Sequence, residues 1–381
     1  MLFRSTMKFL VERDPLTEAI NWVARSLSVR PLQTSLLGIV INVDDEITFT
    51  SSNLETTTEA VIKADILEKG RVLVPGRLLA DIARSLPDKP ITFALDGTRV
   101  LVNAGSAKFQ LPTLPVEEFP TLPNFPDAAG TIDSNIFAEG VSQVAIAAGK
   151  DESLVKLTGV HIEVKGKNIV LAATDRYRLA VKELTWNPGK ADIENTILVR
   201  ARTISELAKS LTGSGKVTFA LADGDSKERL YGFKSDDKTL TSRTLDEVLP
   251  PFRQLLTTDS AADVTIEVVP FLEAVHRVAL VTDKTVPLKL IFSPGNLELQ
   301  AGSGNDAQAS ENISVGYSGE EFSTGFNPQF LIDGIQAVDA PFVHVSFTAL
   351  NKHAIFMGKK EADASPDTSY KYLLMPMRYS S

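Results

Sequence analysis

Residues 271–279 read FLEAVHRVA, and two earlier stretches share this pattern, LTEAINWVA at residues 16–24 and FAEGVSQVA at residues 137–145. Each stretch places apolar side chains at positions i, i+4 and i+7, the spacing of an α-helix with one buried face. Alternating apolar and polar residues typical of paired strands follow, as at residues 157–164 and 168–173. The sequence therefore predicts a repeated unit that contains an amphipathic helix followed by strands.

A second amphipathic stretch occurs in every copy, and its three occurrences begin at Arg77, Arg202 and Gln329. Alternating strands follow each of them, at residues 90–95, 216–221 and 342–347. The order strand, helix, strands, helix, strands predicts an α+β fold with helices on one face of antiparallel sheets. Proline or small polar residues interrupt the periodicity at 119–126 and 257–262. We therefore expect three tandem domains, residues 1–128, 129–257 and 258–381.

Composition and charge limit the classes of protein to consider. The 381 residues are 43% hydrophobic and 23% charged, with a mean hydropathy of +0.02, as in globular proteins. No apolar run approaches the roughly 20 residues of a spanning helix, and residues 1–10 lack the apolar core of a signal peptide, so we expect a cytoplasmic protein. The absence of cysteine excludes disulfides and thiolate nucleophiles. A net charge of −9 argues against unselective binding of nucleic acid over the whole surface.

Short motifs point to a family. They are KFLVER at residues 8–13, VPGR at 74–77, ATDRYRLA at 173–180 and MPMR at 375–378. With the threefold repeat, they resemble the bacterial DNA sliding clamp, the beta subunit of DNA polymerase III, from Met7 to Arg378. The resemblance implies that two chains close head to tail into a ring, a homodimer whose helices line a hole for duplex DNA. It also implies a non-catalytic processivity factor, which tethers the polymerase to its template.

The resemblance further implies a pocket that captures short linear peptides of the DNA polymerase III alpha subunit, the clamp loader, other polymerases and repair proteins. The residues that it assigns to the pocket are Leu157, Thr174, Arg176, Tyr177, Arg178, Leu179, Pro250, Leu255, Leu373, Met375, Pro376, Met377 and Arg378. Arg178 and Arg378 are expected at its edge. Flexible Met side chains suit a surface that accepts varied peptides. From the residues alone, 373–378 is equally compatible with an edge strand of the last sheet.

Basic residues on or beside the predicted helices are candidates for contact with double-stranded DNA. They are Arg25, Arg30, Arg77, Arg84, Lys150, Arg202, Lys209 and Arg277. Taken singly, such a residue more often belongs to a solvated helix face than to a DNA contact. Acidic residues lie on the same helices, at Glu18, Asp81, Glu206 and Asp333. This mixture favours a lining that attracts the phosphate backbone weakly and leaves DNA free to slide.

The resemblance also implies where two chains meet, with the end of the first domain against the start of the partner's third domain. It places Phe109 and Leu111, in the strand 108–111, opposite Leu280 and Val281. An exposed alternating strand at a sheet edge favours pairing with another chain, which satisfies its backbone groups. The alternative is that Phe109 faces the core of its own domain.

Several positions depart from the family pattern. Residues 1–6 precede the usual start, as a natural extension or a misassigned start, and residues 379–381 pass the usual end. Arg176 stands where many relatives have Gly or another small residue, and Gln254 stands where Arg is common. We therefore expect the rim of the pocket to differ chemically from that of other family members.

Signals for catalysis are weak. GSGK at residues 213–216 lacks the first glycine and the final Ser or Thr of a P-loop, so a turn is predicted. Asp175 has no base or second carboxylate at motif spacing, and a tight turn explains it better. The histidines lack metal-ligand spacing, so no metal or cofactor is expected, and His161 is predicted at a surface or half-buried position. Two alternatives stay open: a peptide-binding scaffold that never encircles DNA, and an α+β hydrolase.

Overall fold

The computed structural model describes residues 7–28, 31, 33–211, 213, 215–222, 229–256, 260–282, 286–302, 307–349 and 352–378. The expectations for residues 1–6, for Arg30 and for residues 379–381 fall outside the described residues. The contacts divide the chain into two compact units. The first unit comprises Met1–Ser134, Asn187–Lys190 and Ser210–Thr244, and the second comprises Asn135–Trp186, Ala191–Lys209 and Leu245–Ser381.

The first copy of the repeat has the predicted order of elements. They are β1 (Lys8–Val11), α1 (Arg13–Val23), β2 (Gly38–Val43), β3 (Ile47–Ser52), β4 (Thr56–Ile62), β5 (Asp65–Glu68), β6 (Gly70–Pro75), α2 (Gly76–Ser85), β7 (Ile91–Asp96), β8 (Arg99–Ala104) and β9 (Ala107–Pro112).

The second copy repeats this order. Its elements are β10 (Ala128–Asp133), α3 (Ser134–Ala145), β11 (Gly159–Lys165), β12 (Asn168–Thr174), β13 (Arg178–Thr185), β14 (Asn187–Pro188), β15 (Glu194–Arg200), α4 (Ala201–Leu211), β16 (Lys216–Leu221), β17 (Leu230–Lys234) and β18 (Lys238–Arg243). Within the stretch GSGK, Gly213 and Gly215 lie between α4 and β16 and have positive φ, as expected of a turn, and Ser214 falls outside the described residues.

The third copy completes the series. Its elements are β19 (Ala262–Glu267), α5 (Val268–Val278), β20 (Leu288–Ser293), β21 (Asn296–Ala301), β22 (Ala309–Ser314), β23 (Phe322–Phe326), α6 (Pro328–Ala337), β24 (Phe342–Phe347), β25 (Ala354–Lys359) and β26 (Asp367–Leu374). The prediction of a threefold α+β repeat is confirmed, and no described helix is long and apolar enough to span a membrane.

The helices form where the apolar spacing predicts them, because that spacing lets each one bury a single face. Helix α1 buries Leu16, Ile20 and Val23, the three positions of the quoted pattern, and α5 likewise buries the corresponding residues of FLEAVHRVA. Helix α6 begins with a side-chain cap, since Asn327 Oδ1 accepts hydrogen bonds from the backbone N–H groups of Gln329 and Phe330 at 3.0 and 3.1 Å.

Two antiparallel sheets form the first unit. One has the strand order β14-β10-β16-β17-β18-β4-β3-β2-β6, and the other has the order β5-β1-β7-β8-β9. Strand β18 pairs with β4, with Leu240 opposite Thr58. A strand of the second copy therefore continues a sheet of the first copy, so the compact units do not coincide with the sequence repeats.

The second unit also contains two antiparallel sheets. Their orders are β15-β11-β12-β13-β26-β25-β24-β19 and β22-β21-β20-β23. Strand β13 pairs with β26, with Leu179 opposite Leu373. This pairing brings the middle motif and the C-terminal end of the chain together within one unit.

Candidate functional site

The middle motif forms a tight turn between β12 and β13. Asp175 Oδ1 accepts hydrogen bonds from the backbone N–H groups of Tyr177 and Arg178, each at 3.0 Å. Thr174 Oγ1 accepts one from the Arg176 N–H at 3.1 Å and donates one to the Arg178 carbonyl at 2.6 Å. These bonds give Asp175 the turn-forming role that the sequence predicts. They leave Arg176 and Tyr177 exposed, with 60% of Tyr177 accessible.

An apolar cluster in the second unit lies beside this turn. Leu179 and Leu373, both predicted for the pocket, belong to it, and its other buried members are Ala172, Val181, Leu249, Phe252 and Ile355. Val170, Leu256 and Met357 pack against it. These additional residues were not predicted for the pocket, although Val181 lies on the same strand face as Leu179 and could have been found from that alternation. The cluster can form the apolar floor of a peptide-binding cleft.

The C-terminal segment is fixed next to the turn by backbone hydrogen bonds. The Met375 N–H donates to the Tyr177 carbonyl at 2.9 Å, and the Met377 N–H donates to the Gly325 carbonyl at 2.8 Å. Met375 is 41% exposed, Pro376 and Met377 are half-buried, and Arg378 is exposed. An apolar surface is thus presented where the motifs meet.

The remaining predicted pocket residues occupy different environments. Pro250 is exposed and Leu255 is 41% exposed, whereas the neighbouring Phe252 is buried in the apolar cluster. Leu157 is buried, and its carbonyl accepts a hydrogen bond from the Gly149 N–H at 2.7 Å. The structure does not place Leu157 in the apolar cluster.

The expectation that Arg178 lies at the pocket edge is wrong. Arg178 is only 4% exposed, and its guanidinium forms ion pairs with Asp175 at 3.0 Å and Asp333 at 2.6 Å. It also lies over the ring of Phe330, 4.1 Å from the ring centre. The cause is strand alternation: since Leu179 faces the apolar cluster, Arg178 faces the opposite side, where α6 lies. Arg178 thereby anchors the turn to α6.

We predict that Asp333→Asn destabilises the protein, because the buried Arg178 charge would lose an ion-pair partner. Asp333 retains some access to solvent, so the expected loss is about 2 kcal/mol. The shift of the urea unfolding midpoint measures it. Asp339→Asn is the matched control, since Asp339 is an exposed carboxylate just after the same helix. Equal midpoints for the two variants would contradict the anchoring role.

The predicted DNA-facing side chains that are described are all exposed. They are Arg25, Arg77, Arg84, Lys150, Arg202, Lys209 and Arg277. Ion pairs among them include Arg84 with Asp81, Arg202 with Glu206 at 3.2 Å, and Arg277 with Glu311 at 2.6 Å and Glu273 at 3.5 Å. Such exposed pairs are weak and screened by salt, so phosphate groups can compete with these carboxylates.

The charge on α6, which carries no Lys or Arg, is smaller than the sequence suggests. Asp333 is neutralised by Arg178, and its Oδ1 accepts a hydrogen bond from Gln329 at 2.8 Å. This carboxylate is therefore not a bare negative charge on the helix.

Comparisons with known proteins bear on the whole chain. The N-terminal, central and C-terminal domains of the DNA polymerase III beta subunit match residues 7–123, 131–251 and 253–378. The beta sliding clamp of Streptomyces coelicolor is 45% identical over 375 residues, covering 98% of this chain and 100% of the relative. The chain belongs to the DNA polymerase III beta subunit family. As a sliding clamp, it acts in processive DNA replication.

Solved sliding clamps share the fold. A Pseudomonas aeruginosa clamp bound to griselimycin is 26% identical, with a TM-score of 0.89, covering 98% of this chain and 100% of that one. A Caulobacter crescentus beta sliding clamp with polyethylene glycol bound is 26% identical, with a TM-score of 0.88, covering 99% and 100%.

The residues predicted for the joint between clamp subunits differ in accessibility. Leu280 is 84% exposed, and Phe109 and Val281 are half-buried. Leu111 is fully buried within the first unit, so its assignment to the joint is wrong. Residues 109 and 111 share one strand face, and the burial of Leu111 shows that this face packs inward. The alternative that Phe109 faces its own core thus gains support.

The described residues contain no cluster of side chains typical of a metal centre. No group of three or more His, Asp or Glu side chains there could hold a metal ion. His161 is buried, against expectation, because its ring packs on Phe252 with centroids 5.7 Å apart. Burial lowers the pKa of His161. It therefore belongs to the packing around the apolar cluster of this clamp-family chain.

Proposed function

We propose that two copies of this chain close into a ring around duplex DNA and tether the DNA polymerase III alpha subunit without catalysing a reaction. The clamp loader, other polymerases and repair proteins are proposed to use the same pocket, and the site of action is the cytoplasm, where the bacterial chromosome is copied. Tethering raises the effective concentration of a polymerase at its template. The full-length match to sliding clamps carries this proposal.

The sheet edges support ring closure. Strand β9 ends the five-stranded sheet of the first unit, and β22 ends the four-stranded sheet of the second unit. Each has six residues. An edge strand of this length carries backbone groups that can pair with another chain, and two identical joints would close a dimer instead of growing a fibre. Leu280, at 84% exposure, supplies an apolar contact.

The pocket supports the capture of peptides. The apolar cluster, the exposed Tyr177 and the exposed Met375 lie in one unit, and a related clamp binds griselimycin. We also propose that the three copies act as domains, residues 1–128, 129–257 and 258–381. The threefold order of strands and helices supports this division.

Charge reversal on the helices tests the proposed path of DNA. We expect Arg77→Glu, Arg202→Glu and Lys209→Glu together to lower loading onto nicked circular DNA by about tenfold at low salt, since attraction to phosphates is lost. The fold should survive, because all three side chains are exposed. The measurement is the amount of clamp that co-elutes with DNA after loading.

The matched control reverses three exposed cations outside the candidate set, Lys165, Lys167 and Lys190, and should load normally. For the unmodified ring, retention on closed circles should depend little on salt, because salt weakens contacts without cutting a topological link. Steep release by salt from closed circles would favour the peptide-binding scaffold that never encircles DNA.

A further inference from the structure

Arg176 has a backbone conformation that favours glycine. Its φ is 80°, a left-handed value at which a side chain is strained and glycine is not. The hydrogen bonds of Thr174 and Asp175 to the turn hold the backbone there. Strain of this kind persists where the surroundings enforce it, and it concentrates at binding sites. The presence of arginine at this strained position therefore indicates that its side chain has a role in binding.

The side chain of Arg176 is exposed beside the proposed pocket. The next residue, Tyr177, is 60% exposed, and its carbonyl accepts the hydrogen bond from Met375. In the described part of the chain, the one interaction of the Arg176 guanidinium is a long-range attraction to Asp151, with no ion pair or hydrogen bond. A charged group is thus available at the point where the two pocket motifs meet.

Asp151 is the carboxylate that interacts electrostatically with Arg176. The pKa of Asp151 is lowered, first by hydrogen bonds from the hydroxyl and backbone N–H of Ser153 and further by the positive charge of Arg176. Asp151 is fully exposed, so water and salt screen its attraction for Arg176. A better-placed carboxylate can displace it.

One other cation, Arg253, lies beside the apolar cluster. Arg253 follows the buried Phe252, is exposed, and lies 5.4 Å from the centre of the Phe252 ring. Arg253 pairs with Glu163 at 2.8 Å, and Asp175 pairs with the buried Arg178. Arg253 is therefore already engaged by a carboxylate of its own chain, and so is Arg178.

We propose that Arg176 is a specificity-determining residue that binds an Asp or Glu side chain next to the apolar anchor of a partner peptide. This inference rests on the proposed peptide-binding function. The partner class is an acidic and apolar linear segment, whose apolar residues contact the cluster while its carboxylate pairs with the guanidinium. An arginine fork suits this pairing, since it can donate two parallel hydrogen bonds to one carboxylate.

Three forms of one peptide test the proposal on the full-length protein. The probe is the fluorescein-labelled clamp-binding peptide of the cognate polymerase, with Asp, Asn or Lys at the position next to its apolar anchor. Fluorescence anisotropy gives the dissociation constant of each form. We expect the Asp form to bind about fivefold more tightly than the Asn form, the range of an exposed ion pair, and the Lys form to bind most weakly.

Variants of the protein assign the preference to one side chain. Arg176→Gln should abolish the preference for Asp over Asn, and Arg176→Lys should keep part of it. Asp151→Asn should increase it, because the competing carboxylate is removed. Lys165→Gln is the matched control, since it removes one exposed cation from the end of β11 in the same unit, and it should leave the preference unchanged.

The outcomes distinguish a failure of the role proposed for Arg176 from a failure of the proposed pocket. If the Asp and Asn forms bind the unmodified protein equally, Arg176 has no such role, while the pocket stands. If the preference survives in Arg176→Gln, another residue reads the carboxylate and the inference is overturned. If no form of the peptide binds, the proposed pocket itself fails. Arg176→Gly, which also removes the backbone strain, should raise the melting temperature while abolishing the preference.

Discussion

Deleting residues 375–381 should abolish peptide binding and leave the fold intact. The deletion removes Met375 and Met377, whose backbone N–H groups bond to Tyr177 and Gly325 and whose apolar side chains are proposed to line the pocket. Covering each such side chain on binding contributes roughly 1.5 to 3 kcal/mol. Losing both corresponds to a weakening of the peptide complex by at least about 100-fold. Fluorescence anisotropy with a labelled clamp-binding peptide measures this loss.

The fold should survive this deletion because β26 ends at Leu374, so no strand is shortened. The deletion removes the backbone hydrogen bonds from Met375 and Met377 to Tyr177 and Gly325, which make a modest contribution. A shorter deletion of residues 379–381 is the matched control and should bind normally. If the peptide binds the longer deletion with unchanged affinity, the pocket lies elsewhere.

Leu280→Asp should yield a folded monomer. Leu280 is 84% exposed, so the substitution has little effect on a single chain. At the proposed joint, however, it removes a buried leucine, which contributes roughly 1.5 to 3 kcal/mol, at each of two symmetric positions. Dimerisation should weaken by at least about 100-fold. Sedimentation at micromolar concentration should then show half the mass of the unmodified protein.

Val281 is a poorer target than Leu280, because it is half-buried in the single chain and a charge there could disturb the fold. Val248→Asp is the matched control for Leu280→Asp. Val248 is 77% exposed and lies outside the proposed joint, so this variant should remain a dimer. A dimer formed by Leu280→Asp, or unfolding of that variant, would count against the joint.

The regular elements were predictable because they follow from local spacing. Strands β16 and β24 begin and end at the predicted residues, and α4 differs by one residue at its start. The spacing of apolar side chains that distinguishes a helix from a strand is visible within a few positions along the chain. Repetition of the pattern in three copies reinforced each assignment.

Contacts between distant parts of the chain were not predictable in the same way. The pairing of β18 with β4 and of β13 with β26 joins strands of different copies, and nothing in either strand specifies its partner. Ile355 was missed for the same reason. The resemblance placed Arg178 at the pocket edge, and its burial was not predictable because its partner Asp333 is distant in sequence.

The measurement that tests the central claim most directly is retention of the loaded protein on nicked circular DNA before and after one cut linearises it. A closed ring stays on circular DNA even at high salt, because the link is topological and does not depend on protein–DNA contacts. On linear DNA the same ring can slide off an end. We predict stable retention on the circle at high salt and rapid loss after the cut. Equal retention on circular and linear DNA, or equal loss from both, would contradict the account.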